Sequence, residues 1–216
     1  MKKAKAIFLD FDGVILESVD VKGWVFSKLF ENHPEHVDEI VAFHYANGGM
    51  SRFEKFHHIY ENIFKEPLPD NKFNELCRNF FKLAFNRVLK CDFVPGALEF
   101  LKKHHKRFHP FIISGTPHEE INKIIEAKGL SNYFEGVFGA PTTKSYWARK
   151  IIEENKLDAN RVLFIGDAMS DYEVAEKNNI MFVARITDGN DIFKDKKVYW
   201  KIRNFFELEQ FLNKKI

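Results

Sequence analysis

Cysteine is nearly missing from this chain of 216 residues: Cys77 and Cys91 are the only two, too few for a disulfide framework. Neither sits in a pattern with metal-ligand spacing, so both are read as free thiols. An excess of one charge is missing too. The 33 Lys and Arg nearly balance 31 Asp and Glu, a net of +2, and the two signs are interleaved. That balance gives no footing for a nucleic-acid or anionic-membrane partner. No apolar run approaches the length that spans a bilayer. The basic residues 1–5 precede an apolar run that stops at Asp10, too short for the hydrophobic stretch of an export signal. A reducing cytoplasm is the expected compartment. Gly (11) and Pro (7) are sparse, and repeats and low-complexity segments are absent.

Hydrophobic residues make up 45% and charged residues 30% of what is there, the balance of a globular chain rather than a disordered one. A chain of this length buries a full core as one domain or two small ones, so a second module must come from the pattern. Phe is abundant, with 24 residues, and is read as core material rather than an aromatic binding platform. The one dense basic run, residues 102–107, is read as the solvated end of a helix, where cations complement the helix dipole.

Ala6-Ile7-Phe8-Leu9 is a continuous apolar run ending in Asp10-Phe11-Asp12-Gly13, the form of a strand buried on both faces and followed by a turn. Similar runs recur at residues 110–113, 161–165 and 180–183. Helical patterns lie between them, over 99–106, 119–128 with Gly129 as a stop signal, 144–155 and 171–177. Strands alternating with helices predict a parallel sheet with right-handed crossovers, which holds ligands at the carboxyl ends of its strands. Asp10, Ser114 and Asp167 fall there. Residues 19–90 break the rhythm: no buried strand is evident, only helical segments rich in Phe, His and Tyr, punctuated by Gly48-Gly49 and Pro67-Leu68-Pro69. They predict a small helical domain that leaves the core near Leu16 and returns near residues 92–96. Residues 204–212 read as a capped amphipathic helix packing back on the core.

Four pieces carry chemistry. Asp10-Phe11-Asp12 sets two carboxylates at a strand end; alone, such a pair serves equally well as caps or solvated side chains. Ser114-Gly115-Thr116 places hydroxyls and a small residue before a helix whose N-terminal N–H groups suit a phosphate. Lys144 opens the next helix, where its charge is slightly unfavourable for the helix but could neutralise crowded carboxylates and phosphate. Lys150, one turn deeper and beyond, is the poorer alternative. Gly166-Asp167 and Asp171 add two acids at a third strand end, where hard oxygen ligands for Mg²⁺ are expected.

These pieces, in order and with strands and helices alternating between them, resemble the four motifs of the haloacid dehalogenase-like superfamily, over essentially the whole chain. The helical insertion resembles the C1-type cap of the phosphoglycolate phosphatase and β-phosphoglucomutase branch. In that branch the first motif commonly continues to an acid and a Ser or Thr, matched here by Glu17-Ser18, and Pro95-Gly96 fits the return to the core. The resemblance implies an α/β fold: a doubly wound parallel sheet formed by residues 1–15 and 92–216, with a helical cap of residues 16–91 inserted after the first strand. It further implies that Asp10 attacks phosphorus to form an aspartyl-phosphate. Asp12 would protonate the leaving alkoxide and then deprotonate water. Mg²⁺ would be held by the Asp10 carboxylate, the Asp12 backbone carbonyl and Asp167, with Asp171 in support. Ser114, Gly115, Thr116 and Lys144 would hold the phosphoryl oxygens. The branch often carries Asn and Pro where this chain has Gly115 and Ser145, which bears on the substrate subfamily.

In the cap, Gly49-Met50-Ser51-Arg52 resembles a segment of the β-phosphoglucomutases whose Arg binds the non-reacting phosphate; an Arg pairing on a helix surface beside an N-capping Ser51 is the alternative. His44, His57 and His58 have no metal spacing and are read as half-buried or solvated, with one of them lining the cavity as the alternative. Trp24, Phe26 and Phe30 are read as cap core. The expected activity is Mg²⁺-dependent hydrolysis of a small phosphorylated metabolite: a sugar, polyol, amino-alcohol or glycolate phosphate. A phosphosugar mutase is the nearest alternative, although the mutase position for a cap His is Lys22. A non-catalytic binding relative is further off, because such a relative would be free to lose Asp10 or Asp12. No sequence feature bears on the oligomeric state.

Overall fold

A computed structural model describes residues 4–187, 189 and 191–215; residues 1–3 of the expected core segment, Asp188, Asn190 and Ile216 lie outside the described residues. The first apolar run forms β1 (Ala6–Leu9), and four helices follow it: α1 (Val19–Leu29), α2 (Pro34–Ala46), α3 (Arg52–His58) and α4 (Asp70–Val88). The chain then alternates through α5 (Ala97–Phe108), β2 (Pro110–Pro117), α6 (His118–Ala127), β3 (Gly136–Ala140), α7 (Lys144–Glu154), β4 (Val162–Gly166), α8 (Met169–Lys177), β5 (Met181–Arg185), β6 (Trp200–Ile202) and α9 (Phe205–Lys215). The strands make one sheet in the order β3-β2-β1-β4-β5-β6, every pair parallel.

The apolar runs are continuous because each strand is covered on both sides. Ile7, Leu9, Ile112, Leu163, Ile165 and Val183 face a core shared with α5, α6 and α9. Ala6, Phe8, Ile113, Phe164 and Phe182 face the opposite core with α7 and α8. Phe8 anchors that second core edge-on, with ring centroids 5.7 Å from Phe111 and 6.3 Å from Phe164. This is the parallel sheet expected from the alternation, doubly wound as the resemblance implies.

The sequence pattern had no place for β3 and β6. Both are flanking strands: β3, Gly-Val-Phe-Gly-Ala, is half-buried over its first three residues, and β6 has three residues with Trp200 exposed. Short, half-covered strands carry no continuous apolar run. α9 is capped as expected, since the Glu207 N–H donates to Asn204 Oδ1 at 3.0 Å. The basic run closing α5 is only partly solvated. His104 is buried and lies 3.0 Å from Glu209 of α9, so part of the run ties two helices together.

Helices α1–α4 leave and rejoin the sheet side by side. Val94 N–H donates to the Ile15 carbonyl and Glu17 N–H to the Asp92 carbonyl, both at 3.0 Å, around an antiparallel bridge between Leu16 and Phe93. Phe26, Phe30 and Phe56 are buried among these helices, but Trp24 is not core. It is 38% exposed, under the Arg87 guanidinium at 3.7 Å; a large ring on the outer face of α1 is covered by a cation instead of by packing.

Candidate active site

The carboxyl end of the sheet gathers the acids because β1 and β4 are adjacent and in register, Leu9 beside Ile165. Asp10 directly follows β1 and its N–H donates to the Ile165 carbonyl at 3.0 Å. Asp167 directly follows β4, and Asp171 lies in the first turn of α8. Carboxylate oxygens of Asp10, Asp167 and Asp171 lie within 4.8 Å of one another. Gly13 makes room for this: its φ is +77°, and a Cβ there would meet Asp167 Oδ2 at 2.1 Å.

Lys144, 8% exposed, supplies the cation. Its Nζ donates to Asp171 Oδ1 at 2.7 Å and lies 3.0 Å from Asp10 Oδ1, a charge contact outside hydrogen-bond geometry. Burial alone would lower the Lys144 ammonium, but Asp10 and Asp171 outweigh it and hold its pKa above the ordinary value. Lys150 sits on the exposed face of α7, 3.8 Å from Glu154. Burial pushes the Asp10 carboxyl up to about 7 against the pull of Lys144, with Asp171 and Asp12 adding to the rise. Burial likewise raises Asp167, with Asp10 and Asp171 next to it.

Asp12 lives in different surroundings. Ser18 Oγ donates to Asp12 Oδ1 at 2.7 Å, and Thr116 Oγ1 (3.1 Å) and Lys22 Nζ donate to Oδ2. Burial raises this carboxyl, yet the Lys22 charge and the three donors win and hold it below the usual range. Two carboxylates two residues apart thus have opposite electrostatics. Lys22 also donates to Thr116 Oγ1 at 2.7 Å, joining α1 to the end of β2.

Ser114 is 1% exposed and its Oγ accepts the Thr116 N–H at 3.0 Å, while Gly115 and Thr116 line the cavity in front of Asp10. That cavity, about 520 Å³, lies between the strand ends and α1–α4. The turn before α3 closes on it: Ser170 Oγ donates to the Gly48 carbonyl at 3.2 Å. A Cβ on Gly115 would meet the Gly49 carbonyl oxygen at 2.5 Å, so the two segments touch only because residue 115 has no side chain.

Arg52 is buried, 7% exposed, and lines this cavity. The pairing of the second expectation is present, although inside the cavity rather than on a helix surface: Ser51 caps α3 in a reciprocal box with Glu54, and the Arg52 guanidinium pairs with Glu120 of α6 while stacking 4.2 Å over Phe80. His44 and Lys55 also line the cavity, whereas His58 is stacked on Phe43 and His57 on Phe73 outside it. Sequence reasoning missed Lys55 and treated Lys22 only as a departure. The available signal was spacing, since Arg52 and Lys55 share a face of α3 with the buried Phe56.

The acids fit a hard divalent cation. Three carboxylates converge, and Asp10 Oδ1 is buried with no hydrogen-bond donor, an arrangement that a metal ligated by oxygens completes. Among the described residues no helix is long and apolar enough to cross a membrane.

The chain belongs to the haloacid dehalogenase-like hydrolases, a family of enzymes whose model matches residues 7–185. Its fold is similar to that of a predicted phosphoglycolate phosphatase from Haemophilus somnus 129PT, with 15% identity, TM-score 0.75, and 98% of this chain and 99% of that one covered. It is similar also to the HAD-hydrolase YfnB from Bacillus subtilis, a structure bound to magnesium, at 18% identity, TM-score 0.72, and 98% and 100% coverage. A third structure, a candidate beta-phosphoglucomutase from Bacteroides vulgatus, aligns at 15% identity, TM-score 0.76, and 98% and 90% coverage. At these identities the likeness is one of fold. No curated protein matches the sequence.

Proposed function

We propose that the protein is a Mg²⁺-dependent phosphatase of small phosphorylated metabolites, with a catalytic core of residues 1–15 and 92–216 and a cap of residues 16–91. Balanced charge and two free thiols support work in a reducing cytoplasm. The observation that carries the reading is the division of labour between Asp10 and Asp12. Asp10 stands beside Lys144 and two further acids, whereas Asp12 is turned to three donors and away from that cluster.

Asp10 attacks the phosphorus and the alkoxide leaves, giving an aspartyl-phosphate that water then cleaves. Held by the Asp10 carboxylate, the Asp12 carbonyl and Asp167, with Asp171 in support, Mg²⁺ would supply charge neutralisation for the phosphoryl group. Lys144 and the backbone at Gly115 and Thr116 hold phosphoryl oxygens, and Ser114 supports that segment from within. Asp12, kept ionised by Lys22, is ready to take a proton from water. Its acid role in the first step follows when an incoming phosphoryl group draws Lys22 away, lifting the Asp12 carboxyl.

Glycolate, sugar, polyol and amino-alcohol phosphates all suit a capped cavity. A mutase is the second reading, favoured by the contact of Gly48 with Ser170 that covers the site. A sugar monophosphate incubated with protein and Mg²⁺ and followed by phosphorus NMR separates the two. A phosphatase releases inorganic phosphate one for one with substrate consumed. Isomer formation outpacing phosphate release overturns hydrolysis as the function.

A further inference from the structure

The cap side of the cavity holds three buried basic residues whose donors are not all met. Arg52 has one nitrogen committed to Glu120, but its Nη1 is buried with no acceptor. His44, 7% exposed, is the same: its Nδ1 lies 2.9 Å from Lys55 Nζ and its Nε2 is buried without a partner. An ammonium has only protons to give, so Nδ1 accepts and the ring proton sits on Nε2. Burial, then the Lys55 and Lys22 charges, draw His44 down to about 3, which keeps the ring neutral. Lys55 is 2% exposed, and its partners are the His44 ring and the His44 carbonyl at 3.0 Å. Among the described residues no carboxylate reaches ion-pair distance of it.

Buried polar groups are nearly always satisfied, so three buried cap residues with uncommitted donors or charge on one cavity point to a ligand. The charge balance says which kind. Lys22 is neutralised by Asp12 and Arg52 by Glu120, which leaves Lys55 as the one unpaired charge on this wall. No acidic residue of the cap lines the cavity. One positive charge flanked by two neutral-balance donors matches a monoanion with several lone pairs.

Resting on the phosphatase reading, we infer that the substrate carries a carboxylate at the end remote from its phosphate, received by Lys55, His44 Nε2–H and Arg52 Nη1–H. The enzyme is then a phosphatase of phosphorylated hydroxy acids, and a phosphate dianion at the remote end would be under-neutralised.

The test uses wild-type protein with Mg²⁺ and three probe sets: ω-phosphooxy carboxylates of two to four carbons, the alkyl phosphates of equal length, and the corresponding diol bisphosphates. The best carboxylate is expected to exceed its alkyl partner in kcat/KM by about tenfold or more, the scale of a charged hydrogen bond. Lys55→Met should reduce that ratio by about tenfold. The ratio is taken within one protein, so partial loss of folded material does not move it. If Lys55→Met does not fold, the wild-type ratios decide. Equal rates for carboxylates and alkyl phosphates overturn the inference and leave the phosphatase standing, and faster bisphosphates overturn the monoanion. Failure to hydrolyse every probe, a minimal aryl phosphate included, overturns the phosphatase instead. Calorimetric binding of the carboxylates against the alkyl phosphates then decides the cap subsite on its own, and equal affinities overturn it.

Discussion

The two walls of the cavity are built on opposite terms. At the strand ends, opposite charges and hydrogen-bond partners are supplied by the protein: Lys144 sits between Asp10 and Asp171, and Asp12 takes three donors. Among the buried atoms there, Asp10 Oδ1 has no hydrogen-bond partner, and it converges with Asp167 and Asp171 where a metal fits. The cap wall has buried donors left over, with His44 Nε2 and Arg52 Nη1 unmet. A wall that satisfies itself is pre-organised for one chemistry whatever the substrate. A wall that does not is completed by the substrate, and so it discriminates.

Breaking the self-sufficient wall should have the largest effects. Asp10→Asn keeps the shape but removes the proposed nucleophile and metal ligand, and we expect kcat to fall about a thousandfold or more with an unchanged circular dichroism spectrum. Activity within tenfold of wild type would remove Asp10 from the mechanism. Thorough chelation should abolish hydrolysis and added Mg²⁺ restore it; undiminished turnover would show that the acids work without a metal. Lys144→Met strands two buried carboxylates, and a loss of about 3–5 kcal/mol is expected in chemical denaturation of metal-free protein. A loss under about 1 kcal/mol would mean that the acids protonate at little cost.

The cap wall should respond to pH. Burial draws Lys55 down to about 7, with Lys22 and Lys144 lowering it further and Asp12 and Glu54 opposing; His44, in contact with it, is neutral throughout. The ammonium is present below that value and lost above it. KM for a carboxylated substrate should therefore rise between pH 6 and 8 by more than KM for the alkyl phosphate, and parallel profiles would contradict the role of Lys55. Smallest of all, Glu120→Gln leaves Arg52 its stacking on Phe80 but weakens its tie to α6. KM should rise about fivefold, the scale of 1 kcal/mol, and an unchanged KM would show that the pair does not hold the cap side in place.

Much of the self-sufficient wall was legible in the sequence. A buried strand announces itself by a continuous apolar run, and the acids directly follow β1 and β4, so local order sufficed to put Asp10, Asp12 and Asp167 at one end of a sheet. The family followed from those motifs in that order. The flanking strands β3 and β6 were not legible, because half-covered strands need no apolar run. Nor was the cap wall. Lys22 meets Asp12 ten residues back but also Thr116 across 94 residues, and Arg52 meets Glu120 across 68. Periodicity tells which face of α1 or α3 is buried and not what lies opposite. Local sequence determined the four inner strands, the order of their acids and the helical insertion. Only tertiary packing decided that Lys22 holds Asp12 ionised and that His44, Arg52 and Lys55 share one cavity with donors to spare, because which groups meet across distant elements is set by how the helices close on the strand ends.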